Sequence, residues 1–103
     1  MVDEAVIREA GRRLAAATPR ARVILFGSHA RGEAGPHSDL DFLVVEPVVE
    51  AGGEESVRLR RTLRGLGIAA DILVVSEREA EEWRDVRGSV IHAALSEGRE
   101  LAA

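Results

Sequence analysis

Two short apolar runs, Arg22–Phe26 and Asp39–Val45, flank a polar stretch in which Gly27-Ser28 is followed, ten residues on, by Asp39-Leu40-Asp41. Both runs are rich in β-branched and other apolar residues, as strands are. Residues 27–38 hold three glycines, Pro36 and several polar side chains, so they read as a loop with one helical turn from Ser28. Gly27 closes the first strand and Asp39 opens the second. These two ends can be neighbours only if the strands run antiparallel. Asp39 and Asp41 leave the same face, because alternate residues of a strand share a side. Leu40 and Phe42 turn the other way, toward a core. The stretch therefore demands a sheet margin where a glycine turn meets paired carboxylates.

The rest of the chain supplies the scaffold. Val2, Val6, Ala10 and Leu14, with Ile7 beside them, recur at helical spacing. Asp3 can cap that helix, and Thr18-Pro19 ends it. Beyond the loop Glu50–Glu54, the residues Val57, Leu59, Leu63 and Leu66 predict a second helix, with Gly65 and Gly67 at its exit. Ile68–Val75 reads as the third strand, and Asp71 lies near its start. A right-handed crossover through the helix makes strand three parallel to strand two and carries Asp71 to the same margin. Ser76 caps an acidic helix that holds Trp83. A last helix carries Val86, Val90, Ile91, Ala94, Leu95 and Leu101, with Gly98 near its end. The expectation is an α/β (α+β) fold of order α-β-β-α-β-α-α, with a small mixed three-stranded sheet and about four helices. Trp83 and the Val90/Ile91/Ala94/Leu95 stripe are assigned to the core; an exposed part of it would mark a partner surface. No repeat or linker interrupts residues 1–103, which read as a single domain.

Composition narrows the function classes. Cysteine is absent, which excludes a disulfide frame and a zinc–thiolate site and suits a reducing, cytoplasmic setting. No apolar stretch approaches the ~20 residues of a membrane span, and the acidic amphipathic start does not resemble a secretory signal. The net charge of −4 argues against a broad electrostatic grip on nucleic acid, so no direct binding of it is expected. All 14 basic residues are arginine, and the chain has no tyrosine. Arg58, Arg60, Arg61 and Arg64 read as the wet side of a helix, balanced by Glu50, Glu54 and Glu55.

Asp39 and Asp41, side by side, repel one another and cost desolvation unless something positive lies between them. A divalent cation is the simplest answer, with a solvated strand start as the plain alternative. Mg²⁺ prefers oxygen ligands and keeps positions for water or phosphate. Two such ions can align an attacking hydroxyl, an α-phosphate and departing pyrophosphate for in-line displacement. Gly27 lets the backbone approach a phosphate, where a Cβ would obstruct. Ser28 offers a hydroxyl and an amide, and Arg31 a planar fork for a phosphate. His29 and His37 read as solvated or as minor contacts rather than metal ligands.

The Gly-Ser, ten-residue, Asp-x-Asp spacing within Gly27-Ser28-His29-Ala30-Arg31-Gly32 and beyond resembles the signature of the DNA-polymerase-β-like nucleotidyltransferases. The Gly-Ser-x-Ala-Arg-Gly version is similar to their smallest members, the minimal nucleotidyltransferase (MNT) family. The resemblance is close over residues 22–75 and holds in outline for the flanking helices. It implies that Asp39 and Asp41 hold both Mg²⁺ ions and that Asp71 completes the metal site for the attacking hydroxyl. Gly27, Ser28 and Arg31 would bind the nucleotide. The implied enzyme moves a nucleoside monophosphate from an NTP, with ATP the expected donor, to a hydroxyl acceptor. Small stand-alone members are similar to antitoxins that pair with HEPN-domain toxins and adenylylate a tyrosine on them. A tyrosine acceptor must then come from another molecule, while serine and threonine self-modification stay open. The rival reading is a nucleotidyltransferase-like binding module that neutralises a toxin by contact alone. An antibiotic nucleotidyltransferase would need an added acceptor domain, and a polymerase would need greater length and a basic template groove.

Overall fold

The first strand forms as the apolar run predicts, over Arg22–Phe26 (β1), and a short helix follows at once over Ser28–Arg31 (α2). The structure, a computed structural model, describes residues 3–35 and 39–101; the assignments of Val2 and His37 lie outside them. Ahead of β1 runs α1 (Glu4–Ala17), whose first turn is capped by the Asp3 carboxylate accepting from the Ala5 amide at 3.1 Å. After α2 come β2 (Leu40–Glu46), α3 (Gly52–Thr62), β3 (Ala70–Ser76), α4 (Glu77–Trp83), α5 (Val90–Glu97) and β4 (Arg99–Leu101). β1 is antiparallel to β2, β2 is parallel to β3, and the sheet order is β3-β2-β1-β4. Both pairings follow the directions that the Gly27, Asp39 and Asp71 placements require.

The sheet has four strands, not three. Leu101, expected at the end of the last helix, lies in β4, which pairs antiparallel with Val23–Leu25 of β1. Gly98 is the physical reason. It ends α5 in extended backbone and donates to the Ala94 carbonyl at 2.9 Å. A Cβ there would fall 2.3 Å from the Ala94 oxygen and 2.5 Å from Ile24 Cγ2, so only glycine lets the chain turn so close to β1. Leu101 then packs on α1, where Gly11 leaves room for it.

Two apolar layers hold the sheet. Val23, Leu25, Phe42, Val44, Ile72 and Val74 meet Ile7, Ala10 and Leu14 of α1 and the α3 residues led by Leu59. On the opposite face Ile24, Leu43, Val45 and Val75 meet Ala80, Ile91 and Ala94 of α4 and α5. Alternation along β2 places Asp41 on this second face. The core assignment of the C-terminal stripe is corrected in part. Ile91 and Ala94 are buried, but Trp83 is 45 % exposed, Val90 53 % and Val86 43 %. α4 is short and buries only Ala80 among its described residues, so its far side keeps Trp83 in solvent.

Candidate active site

Asp41 is the hub. It faces Phe26 across β1 and sits in register with Asp71 on β3. Residues in register on neighbouring strands project to the same side, with the strands ~4.8 Å apart. Asp39 lies immediately before β2 and is exposed, as is Asp71, while Asp41 is half-buried. The carboxyl of Asp41 is held above its ordinary value by burial first, then by the charges of Asp71 and Asp39; His29 and Arg31 oppose the shift. That pattern places all three carboxylates, with His29 and Arg31 of α2, within electrostatic reach of Asp41.

Gly27 is the other fixed point. Its φ of +78° lies in the left-handed region, and a Cβ there would stand 2.4 Å from Asp41 Oδ2. The carboxylate occupies the space that any other residue would fill. Gly27 also opens α2, its carbonyl accepting from the Arg31 amide at 3.2 Å. Ser28 follows as the first helical residue. Among the described residues no hydrogen bond engages its hydroxyl. Arg31 is exposed and paired with Glu33 at 3.3 Å and Glu97 at 3.9 Å, so it must exchange partners to grip a phosphate.

Two clefts open beside Asp71. One, of about 610 Å³, is lined by Asp39, Asp71, Arg60, Arg64 and the exit of α3 through Gly65, Gly67 and Ile68. The other, of about 460 Å³, runs past Asp41, Asp71 and Arg60 to the apolar Phe26, Leu73 and Val90. Arg60 borders both, although the sequence places it on the wet side of a helix. Its signal was present: α3 is a crossover helix, and its C-terminal end must run toward the start of β3, where Asp71 lies.

Three comparisons bear on this geometry. A search of curated proteins gave no significant match. A crystal structure of a Sulfolobus solfataricus protein, assigned provisionally as a nucleotidyltransferase, superposes with a TM-score of 0.58 at 27 % identity, covering 76 % of this chain and 70 % of that one. A toxin–antitoxin crystal structure with AMP-PNP gives a TM-score of 0.57 at 19 % identity, covering 93 % of this chain and 73 % of that one, a likeness of fold. The model of the nucleotidyltransferase domain family matches residues 7–101. The chain belongs to that family.

A nucleotidyltransferase domain needs donors for a hard divalent cation, and the residues here suit one. Asp39, Asp41 and Asp71 offer oxygen alone, the ligand type that Mg²⁺ selects. A cation among them would offset the repulsion and desolvation that push Asp41 upward. Among the described residues no three acidic, histidine or cysteine side chains converge as a ready-made metal cage. Three bare carboxylates resist such convergence, and ions that keep water and phosphate ligands do not need it. Among the described residues no helix is long and apolar enough to cross a membrane.

Proposed function

We propose that this nucleotidyltransferase domain transfers AMP from ATP, with Mg²⁺, to a hydroxyl of a partner protein, a HEPN toxin for which it is the cytoplasmic antitoxin. The observation that carries the reading is the register of Asp41 with Asp71 beside a glycine whose missing Cβ makes room for the Asp41 carboxylate. In this reading Asp39 and Asp41 hold the ions, joined by Asp71, and the bound ions supply charge neutralisation for the triphosphate. Gly27 lets the phosphates approach the backbone, and Ser28 and Arg31 hold them on the β1 side. Asp71 orients the acceptor hydroxyl on the β3 side and takes its proton. The acceptor oxygen forms a bond to the α-phosphorus as the bond to pyrophosphate breaks. Acceptor and donor thus enter from opposite flanks of β2.

The exposed Trp83, Val86, Val90 and Leu73 suit an interface with a protein partner. The toxin–antitoxin assembly that shares the fold at low identity is in keeping with an antitoxin role. The same apolar surface also supports the second reading, a module that masks a toxin by contact without turnover. Incubation with labelled ATP, Mg²⁺ and the partner encoded beside it separates the two. Label on the partner, abolished by chelation of the metal, supports transfer. A stable unlabelled complex supports masking and overturns the enzymatic reading.

A further inference from the structure

Most arginines of this chain are already engaged. Arg8, Arg12, Arg13, Arg22, Arg31, Arg58, Arg78, Arg84 and Arg99 all pair with glutamates. Arg20, Arg60, Arg61, Arg64 and Arg87 form no ion pair or side-chain hydrogen bond among the described residues, and of these Arg60 and Arg64 stand at the site. Both are exposed and both border the cleft that holds Asp39 and Asp71. Arg60 lies in the last turn of α3 and Arg64 in the turn just beyond it.

The turn that carries Arg64 is anchored, while both guanidinium groups face solvent. The Arg13 guanidinium donates from α1 to the Thr62 carbonyl at 3.2 Å and the Arg64 carbonyl at 3.0 Å. Leu63, between the two arginines, is buried in the core. The Arg64 amide continues the helical turn to the Arg61 carbonyl at 3.3 Å. An anchored turn that presents two exposed planar forks suits carboxylates or phosphates.

The flank on which they lie decides between those ligands. The donor phosphates, on the reading above, sit at Gly27 and Ser28 beside β1. Arg60 and Arg64 lie across β2, at the Asp71 side where the acceptor enters. A nucleic acid acceptor would need a longer basic track than two arginines, and the whole chain carries a charge of −4. A β-strand from a partner is also disfavoured here, because Ser56 of α3 donates to the Ile72 carbonyl at 2.7 Å and occupies that edge.

We infer that Arg60 and Arg64 form a recognition arm for acidic residues flanking the acceptor hydroxyl on the partner protein. The inference rests on the proposed transfer to a protein, and its test is one of binding, so that it can fail independently of turnover. Fluorescein-labelled peptides Gly-Glu-Tyr-Glu-Gly and Gly-Gln-Tyr-Gln-Gly are titrated with the full chain and read by anisotropy. The acidic peptide is expected to bind about tenfold tighter, the scale of one charge-assisted contact. The gap should close in Arg60→Gln/Arg64→Gln, with thermal melting as the check on folding. In Arg60→Glu/Arg64→Glu the preference should invert toward Gly-Lys-Tyr-Lys-Gly, an outcome that a purely structural role does not produce. Equal binding of the two peptides by the unaltered chain overturns the inference. Displacement of the acidic peptide by Mg²⁺–pyrophosphate also overturns it, since the arm would then belong to the donor. So does tighter binding of a short oligouridylate at the same site, which would make the acceptor RNA. Failure of ATP transfer to any acceptor, with the peptide preference intact, sinks the enzymatic reading and leaves the arm standing.

Discussion

β2 carries a carboxylate near each of its ends, and the two ends have opposite electrostatic fates. At the start of the strand, Asp41 faces Asp71 and Asp39, and these charges add to burial in raising its carboxyl. At the far end, Glu46 meets Glu55 and Arg58 of α3. There Arg58 donates to both Glu55 oxygens, at 2.7 and 2.8 Å, and to the Ala17 carbonyl at 3.0 Å. Hydrogen bonds from Arg58 draw the Glu55 carboxyl down to about 2. Burial first, then Glu55, pushes Glu46 up to about 7. Glu46 Oε2 is buried without a hydrogen-bond partner among the described residues. Burial and the neighbouring Glu55 carboxylate therefore favour the protonated form of Glu46. The far end resolves its charge internally, with an arginine and a proton. The near end has His29 and Arg31 only as partial opposition, and Arg31 is already shared with Glu33 and Glu97. Cleft size does not separate the two ends, since a cleft of about 470 Å³ also opens beside Glu46. Unresolved repulsion does.

The sharpest way to break this contrast is Asp39→Asn with Asp41→Asn. Transfer should fall beyond the ~10–100-fold that loss of a supporting contact around a metal costs. Thermal stability should hold or rise, because like-charge repulsion is relieved. Undiminished transfer to the partner removes the near end from the chemistry. Next in size is Gly27→Ala, which combines a left-handed φ with a clash on Asp41 Oδ2. It should cost about 1–3 kcal/mol by denaturant titration and reduce transfer as the carboxylate is displaced. A variant as stable and active as the parent would show that the glycine is incidental.

The far end gives a pH signature. Folded Glu46 keeps its proton to about 7, against an ordinary value of 4.5. Between those values the folded state binds more protons, so stability declines as pH rises through the window. Glu55 acts in the other sense: its stabilisation, present above its ordinary value of 4.5, is lost only as pH falls toward about 2. Glu46→Gln should therefore flatten the change in urea stability between about pH 5 and about pH 8. An unaltered slope places the titration elsewhere. The smallest effect is expected of Trp83→Ala, within about 1 kcal/mol of the parent because Trp83 is 45 % exposed and belongs to neither apolar cluster. It should weaken association with the partner in a pull-down. A large loss of stability instead would mean that the indole belongs to the core after all.

Much of this was legible in the chain. Strand alternation set Asp41 on the face opposite Leu40 and Phe42, and the Gly27 and Asp71 positions required strand directions that the sheet adopts. The β4 strand was missed because Arg99–Leu101 is too short to show a period, and Leu101 fits a helical stripe equally well. Trp83 and Val90 were assigned to the core because apolar character does not say whether an opposing surface exists. Arg58, read as the wet side of its helix balanced by glutamates, is exposed and pairs with Glu55, and it also ties α3 to the end of α1.

Local chemistry in the sequence determined the strand–turn–strand unit and the face of β2 from which Asp41 projects. These depend on contacts between near neighbours along the chain. Tertiary structure alone decided that Asp41 lies in register with Asp71, that Arg60 and Arg64 reach the same cleft, and that Glu46 rather than Asp41 finds its neutralising partners inside the protein. Those outcomes depend on the packing of α3 against the sheet, which joins residues far apart in the chain and leaves no periodic trace in it.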